Sequence, residues 1–209
     1  MTAMSATDPA QTLLAAAARL AAKGLLRPGD SLSCRLPASA EMLWLVHDEA
    51  GAAPRRVGFA GAEPVPPTHR AAYVERADVG AVLLARLPWA AALHGAGATL
   101  TGVFDEQLRH LGAQVAPLGA GAALGDGANA YLTRDGALCL GMTLERLVFN
   151  AELLEKCAQA YALALASGNP VRRIPWLVRH IATGRLKRDQ RRAAEHHARG
   201  EAAPRVAGY

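Results

Sequence analysis

Aromatic side chains are scarce in this chain, with Phe, Trp and Tyr together making up 5% of its residues. A surface that stacks successive bases needs more of them, so the composition suits close helix packing more than a broad nucleic-acid stacking surface. Cysteine is rarer still. Cys34, Cys139 and Cys157 are odd in number, widely spaced and in no Cys-x-x-Cys pair, which excludes a disulfide framework or a zinc knuckle and fits a reducing cytoplasm. Long hydrophobic runs are missing as well. The stretch LLAAAARLAA is interrupted at Arg19, and MTAMSATDPAQT ahead of it carries no positive charge, so neither a signal peptide, a membrane span nor a membrane partner is expected. What the chain does have is 51% hydrophobic residues over 209 positions, rich in alanine and leucine, enough for one sizeable core.

The net charge of +5 is unevenly placed. From Pro170 onward there are ten Lys or Arg against Asp189, Glu195 and Glu201. That surplus exceeds the net charge of the whole chain, so the preceding body is slightly acidic. The chain therefore reads as a body over 1–169 and a basic helical tail over 170–209. A basic tail of this kind is more often a solvated face or a subunit contact than a nucleic-acid site, although an acidic partner or nucleic acid bound through it is one reading of the function.

Asp8 followed by Pro9 marks a helix start, and Gly24 its stop. SLSCRLPA, with Pro37 at its end, EMLWLVH and RRVGFAG read as short strands. EPVPPTHRAAYVERAD gives a turn and a short helix. GAVLLAR, apolar on both faces, reads as a strand covered by helices. PWAAALHGAG and DEQLRHLG are helices closed by glycine. NAYLTRDGALCLG reads as two strands joined through a D-G turn, followed by a long helix capped by Thr143 and ended by Gly168 and Pro170. The glycine-rich GAGAALGDG is a linker, and the tail forms one or two helices before a disordered end. Strands alternate with helices available for both faces, so the expected fold is an α/β, three-layer α/β/α sandwich around a central mixed sheet.

Four stretches in order, ARLAAKGLLRPGDSLSCRLP, HRAAYVERADVGAVLLARLPWAAAL, TLTGVFDEQLRHLG and NAYLTRDGALCLGMTLERLVFNAELLEKCAQAYALAL, resemble the class II aldolase/adducin family. They span roughly residues 13 to 166. The resemblance implies an aldolase/adducin-like fold, fourfold homo-oligomers with the site at a subunit boundary, and, in the active enzymes of the family, zinc or a similar divalent ion on three histidines. Laid over this chain, Leu84 and Arg86 stand where the first two histidines belong and Asp135 where the third does. Val65 takes the place of the acid/base glutamate, with Glu63 two residues away. In the turn that approaches a phosphate, Asp30 and Ser31 stand in the glycine and asparagine places.

A guanidinium has no available lone pair and repels a cation, so no metal cofactor is expected. Arg86 and Asp135 are expected to converge into a salt bridge in the place of the ion, with Leu84 filling the remaining volume. The functional alternative leaves Arg86 free to take a small carboxylate. The candidate ligand-binding residues are Arg86, Asp135, His69 and Ser31. His69, at the start of a helix, is a possible general base for metal-independent lyase chemistry on a carbonyl compound, set against a capping or packing role. The leading reading is a class II aldolase-like protein that has lost metal-dependent aldol cleavage and serves as a non-catalytic or small-carboxylate-binding module, assembled as a homotetramer.

Overall fold

The computed structural model describes residues 8–48, 53–61, 63–119, 123–125, 127–168 and 170–204. The chain enters through α1 (Pro9–Ala22), capped by the Asp8 side chain accepting from Ala10 N–H at 3.0 Å. Its buried residues Leu13, Ala17 and Leu20 recur at helical spacing and form one packed stripe. Strands β1 (Ser31–Arg35), β2 (Glu41–Val46) and β3 (Arg55–Gly58) follow. Next come α2 (Pro67–Glu75), β4 (Ala81–Ala85), α3 (Pro88–Gly95), β5 (Leu100–Thr101), α4 (Asp105–His110) and β6 (Gln114–Val115). The hairpin β7 (Ala130–Thr133) and β8 (Gly136–Gly141) leads into α5 (Leu144–Ala166), and α6 (Trp176–Ala198) closes the described fold.

The main sheet has six strands in the order β3-β2-β1-β4-β8-β7. Every pairing between its strands is antiparallel, where a mixed sheet was expected. The reason lies in the connections. β1–β2 and β7–β8 are hairpins, and β4 enters between their inner strands running opposite to both. Among the described residues, the one parallel pairing is an isolated bridge between Pro117 and Leu132.

Alternation along the strands sorts the core onto two faces. On one, Leu32, Leu83, Ala85, Ala137 and Cys139 pack with side chains of α1, α3 and α5. On the other, Val82, Leu138 and Leu140 pack with Ala72 and Tyr73 of α2 and with Leu124 and Ala128. All three cysteines are buried and free, and burial raises each thiol to about 11 or 12.

Within the described part of the tail, α6 is a single long helix that docks on the body. Ala182, Leu186, Gln190 and Ala193 are its buried stripe. Asp189 pairs with Arg109 of α4 at 2.5 Å. The Gln190 amide donates to Gly127 O and to the Asn129 side chain, at 2.8 and 3.1 Å. Residues 205–209, in the expected disordered end, lie outside the described residues, as do the first seven residues and part of the expected linker.

Candidate functional site

The candidate site sits at the C-terminal end of β4, where the strand passes into α3. Helix α3 has no side-chain cap of its own. Glu155 of α5 supplies one, accepting from Trp89 N–H at 2.8 Å and Ala90 N–H at 3.2 Å. Burial raises the pKa of this carboxylate against the two backbone donors that lower it. The β4–α3 junction is thereby fixed by α5, and Arg86 is held at the rim of the sheet.

On the β1 side of Arg86 lies the turn Arg27-Pro28-Gly29-Asp30. Asp30 N–H donates to Arg27 O at 2.9 Å, and Gly29 has φ +90°, the combination a type II turn requires with Pro and Gly at its centre. Asp30 is 4% exposed. One of its carboxylate oxygens accepts from Arg27 N–H at 2.8 Å, and the other accepts from Arg86 Nε at 2.8 Å. Arg86 Nη2 also donates to Pro28 O. The Arg86 side chain remains 47% exposed, so one edge of the guanidinium is held by the turn while much of the side chain stays open to solvent.

Asp135 behaves differently from the sequence expectation. It is exposed, at the centre of the two-residue connection between the paired residues Thr133 and Gly136, and it makes no ion pair with Arg86. The topology explains this. β4 has β1 on one side and β8 on the other. The Arg86 guanidinium reaches across to the turn before β1, whereas Asp135 belongs to the turn before β8. The role of Gly136 also differs from a D-G turn that relies on positive φ, because neither Gly136 nor the two turn residues have one. What Gly136 permits is close approach. A Cβ there would lie 2.0 Å from Ala85 O, 2.5 Å from Leu87 N and 2.7 Å from Arg86 Cα.

Ser31, His69 and Leu84 are brought together beneath this rim. Ser31 is the cross-strand partner of half-buried Leu84. His69 is fully buried on α2, with Ser31 Oγ 2.9 Å from Nε2 and Ser33 Oγ 2.8 Å from Nδ1. The Tyr73 hydroxyl lies 2.8 Å from Ser33 Oγ. A neutral imidazole donates at one nitrogen and accepts at the other, and serine hydroxyls can complement either arrangement. Burial lowers the His69 pKa to about 3, so the ring is neutral across the physiological range. It ties α2 to β1. Val65 is buried in the α2-side core, and Glu63 pairs with Arg70 at 2.8 Å.

Sequence reasoning missed two parts of this arrangement. The sequence points to Asp30 only as the residue in the glycine place of the turn that approaches a phosphate, although the R-P-G-D turn signal puts it just ahead of the strand beside β4. Ser33 and Tyr73, the other members of the His69 network, carried no signal beyond alternation along a strand and helical spacing.

No family model matches this chain, and no curated protein matches it. Solved structures do. An L-fuculose 1-phosphate aldolase superposes with a TM-score of 0.68 at 20% identity, covering 88% of this chain and 98% of its own. The L-fuculose-1-phosphate aldolase of Thermus thermophilus gives 0.60 at 20% identity, over 78% and 98%. An aldolase II superfamily protein from Pseudomonas syringae gives 0.64 at 20% identity, over 94% and 96%. The chain therefore has the class II aldolase fold along nearly the whole length of these structures.

Proposed function

We propose that this chain uses the class II aldolase fold without a divalent metal, as a non-catalytic module that receives a small carboxylate at Arg86. The observation that carries the reading is the Arg86–Asp30 pair, at 2.8 Å, standing where the family resemblance puts a metal ligand. The donor chemistry agrees with it. Leu84 offers no donor, and a guanidinium offers only N–H groups. Asp135 is then the single carboxylate left among the three positions, and among the described residues no three His, Cys, Asp or Glu cluster as a metal site would need. The residues at these positions do not fit a divalent ion.

Arg86 suits a carboxylate better. Asp30 and Pro28 anchor one edge of the guanidinium, and a planar anion can lie against N–H groups they leave open. Asp30 partly offsets the attraction, so the expected affinity is modest. Metal-independent carbonyl chemistry is less well supported, because both nitrogens of His69 are engaged and its basicity is low. A homotetramer remains the expected assembly, and its mass by light scattering tests that.

The deciding experiment is elemental analysis of tag-free protein after incubation with zinc, manganese and cobalt and then desalting. The reading expects metal far below one ion per chain and no aldol cleavage of phosphosugars. Near-stoichiometric metal overturns it. Carboxylate binding is read separately, from the rise in unfolding temperature with acetate, glycolate and pyruvate. That rise is expected to vanish in Arg86→Ala.

A further inference from the structure

The outward side of α6 joins exposed apolar side chains to exposed cations. At 3.6 residues per turn, Leu177, Ile181, Arg188 and Arg191 lie along one stripe. It faces away from Ala182, Leu186, Gln190 and Ala193, which dock the helix on the body. In the first two turns Trp176 is 68% exposed, Leu177 54%, Val178 41% and Ile181 50%. None of the four belongs to that docking stripe, although Val178 and Ile181 border a small cleft against Asp105 and Arg109 of α4. Cations bracket this patch along the helix axis. Arg172 and Arg173 are exposed ahead of it, and Arg185, Lys187, Arg188, Arg191 and Arg192 are exposed after it. Of the acids on the helix, Asp189 is engaged by Arg109, leaving Glu195 as the exposed one.

We propose that this face of α6 docks peripherally on an anionic lipid bilayer, with the Trp176–Ile181 turns entering the interfacial region and the flanking cations on headgroup phosphates. Charge complementarity and the shape of the patch both favour this occupant. A second copy paired through the same stripe would set two cationic surfaces against each other. A nucleic acid would satisfy the cations but leave Leu177, Val178 and Ile181 against phosphates, with only Trp176 able to stack. A lipid surface takes all of it. Trp176 and Leu177 are the most exposed of the four, and fluid lipid needs no matching groove. Basic helices with exposed Trp and Leu bind such interfaces by apolar insertion plus attraction to anionic headgroups. No described helix is long and apolar enough to cross a membrane, so the contact is a surface one. It departs from the sequence expectation of no membrane partner, and it does not depend on the reading of the Arg86 site.

The test is flotation of the purified full-length chain with vesicles of phosphatidylcholine alone, and of phosphatidylcholine and phosphatidylglycerol in equal parts. The protein is expected to float with the anionic vesicles at low salt, to be released as salt rises, and to stay behind with the neutral ones. Trp emission should shift to the blue on binding, and the shift should be lost in Trp176→Phe. Leu177→Gln/Ile181→Gln and Arg188→Glu/Arg191→Glu should each lower the bound fraction by about tenfold or more. Both pairs lie on the exposed face, so unchanged unfolding temperatures would verify that the fold is kept. Failure to float, or equal binding to both vesicle types, overturns the proposal. A fall in oligomer mass for Leu177→Gln/Ile181→Gln would assign the face to a second copy instead. Duplex DNA binding that survives that variant, without flotation, would assign it to nucleic acid.

Discussion

Arg86 Nε and Asp30 Oδ1 lie 2.8 Å apart and join the exit of β4 to the turn ahead of β1. The two partners are unequal. Asp30 is 4% exposed and also holds Arg27 N–H, whereas the Arg86 side chain is 47% exposed. Removing the carboxylate should therefore cost more than removing the guanidinium. Asp30→Ala leaves a backbone donor and a cation without their partner and is expected to cost about 2 kcal/mol. Arg86→Ala removes one half-solvated partner and should cost about 1 kcal/mol or less. Urea unfolding of the two single variants and the double one checks this order, and a costlier Arg86→Ala contradicts it.

The buried histidines set a pH dependence of stability. Burial holds His69 at about 3, and burial aided by Arg146 and Arg109 holds His110 at about 4. Both sit below the ordinary 6.5. Between those values and 6.5 the unfolded chain binds protons that the folded chain does not, so stability rises with pH over that window and is complete above it. As pH falls below 6.5, each group withdraws on the order of 1 kcal/mol per pH unit. Urea midpoints at pH 7 and pH 5 should show the loss. His69→Gln should make the drop shallower without removing the part due to His110.

Much of the fold was legible because its signals are local. Asp8-Pro9, Thr143 and the glycine stops each act within one turn of chain, and the helices they bound formed where expected. The strand within SLSCRLPA and the apolar run GAVLLAR were readable for the same reason, although the strand stops at Arg35, short of Pro37. The sheet's strand directions were not, because they depend on which edges pair, and an apolar run looks alike in parallel and antiparallel surroundings. The site suffered from that gap. Ser31 pairs across the strands with Leu84 and meets His69 of the helix packed on that sheet. The partner of Arg86 was misjudged because Asp135 and Asp30 are separated only by the side of β4 on which each lies. That is a matter of strand order, which no residue near Arg86 encodes.

Gly136 offers a test of how tightly the rim is built. Its missing Cβ would meet Ala85 O, Leu87 N and Arg86 Cα at 2.0, 2.5 and 2.7 Å. All three are backbone atoms, so no side-chain rotation relieves the clash. Gly136→Ala must push β8 away from the end of β4, and is expected to destabilise the chain by about 3 kcal/mol. Thermal unfolding measures the loss. A variant as stable as the parent would mean that the β4–α3 junction is looser than these distances indicate.

The docking of α6 can be weakened without touching the sheet. Leu186 is 2% exposed and packs in a small cluster with Met142, Ala193 and Ala203, apart from the two larger cores. Leu186→Ala should cost about 2 kcal/mol, the low end for such truncations, because a small cluster near the surface can close over the gap. The Arg109–Asp189 pair and the Gln190 contacts are untouched by the change and should keep the helix close to the body. Hydrogen exchange then distinguishes two kinds of helix. If α6 opens as its own unit, its amides exchange faster in Leu186→Ala while those of β4 and β8 keep their rates. That is the expected result, since Leu186 contacts the larger cores little and α6 meets the rest of the fold mainly through α4. Uniform acceleration across α6, β4 and β8 would instead make the tail an integral part of the aldolase-like core.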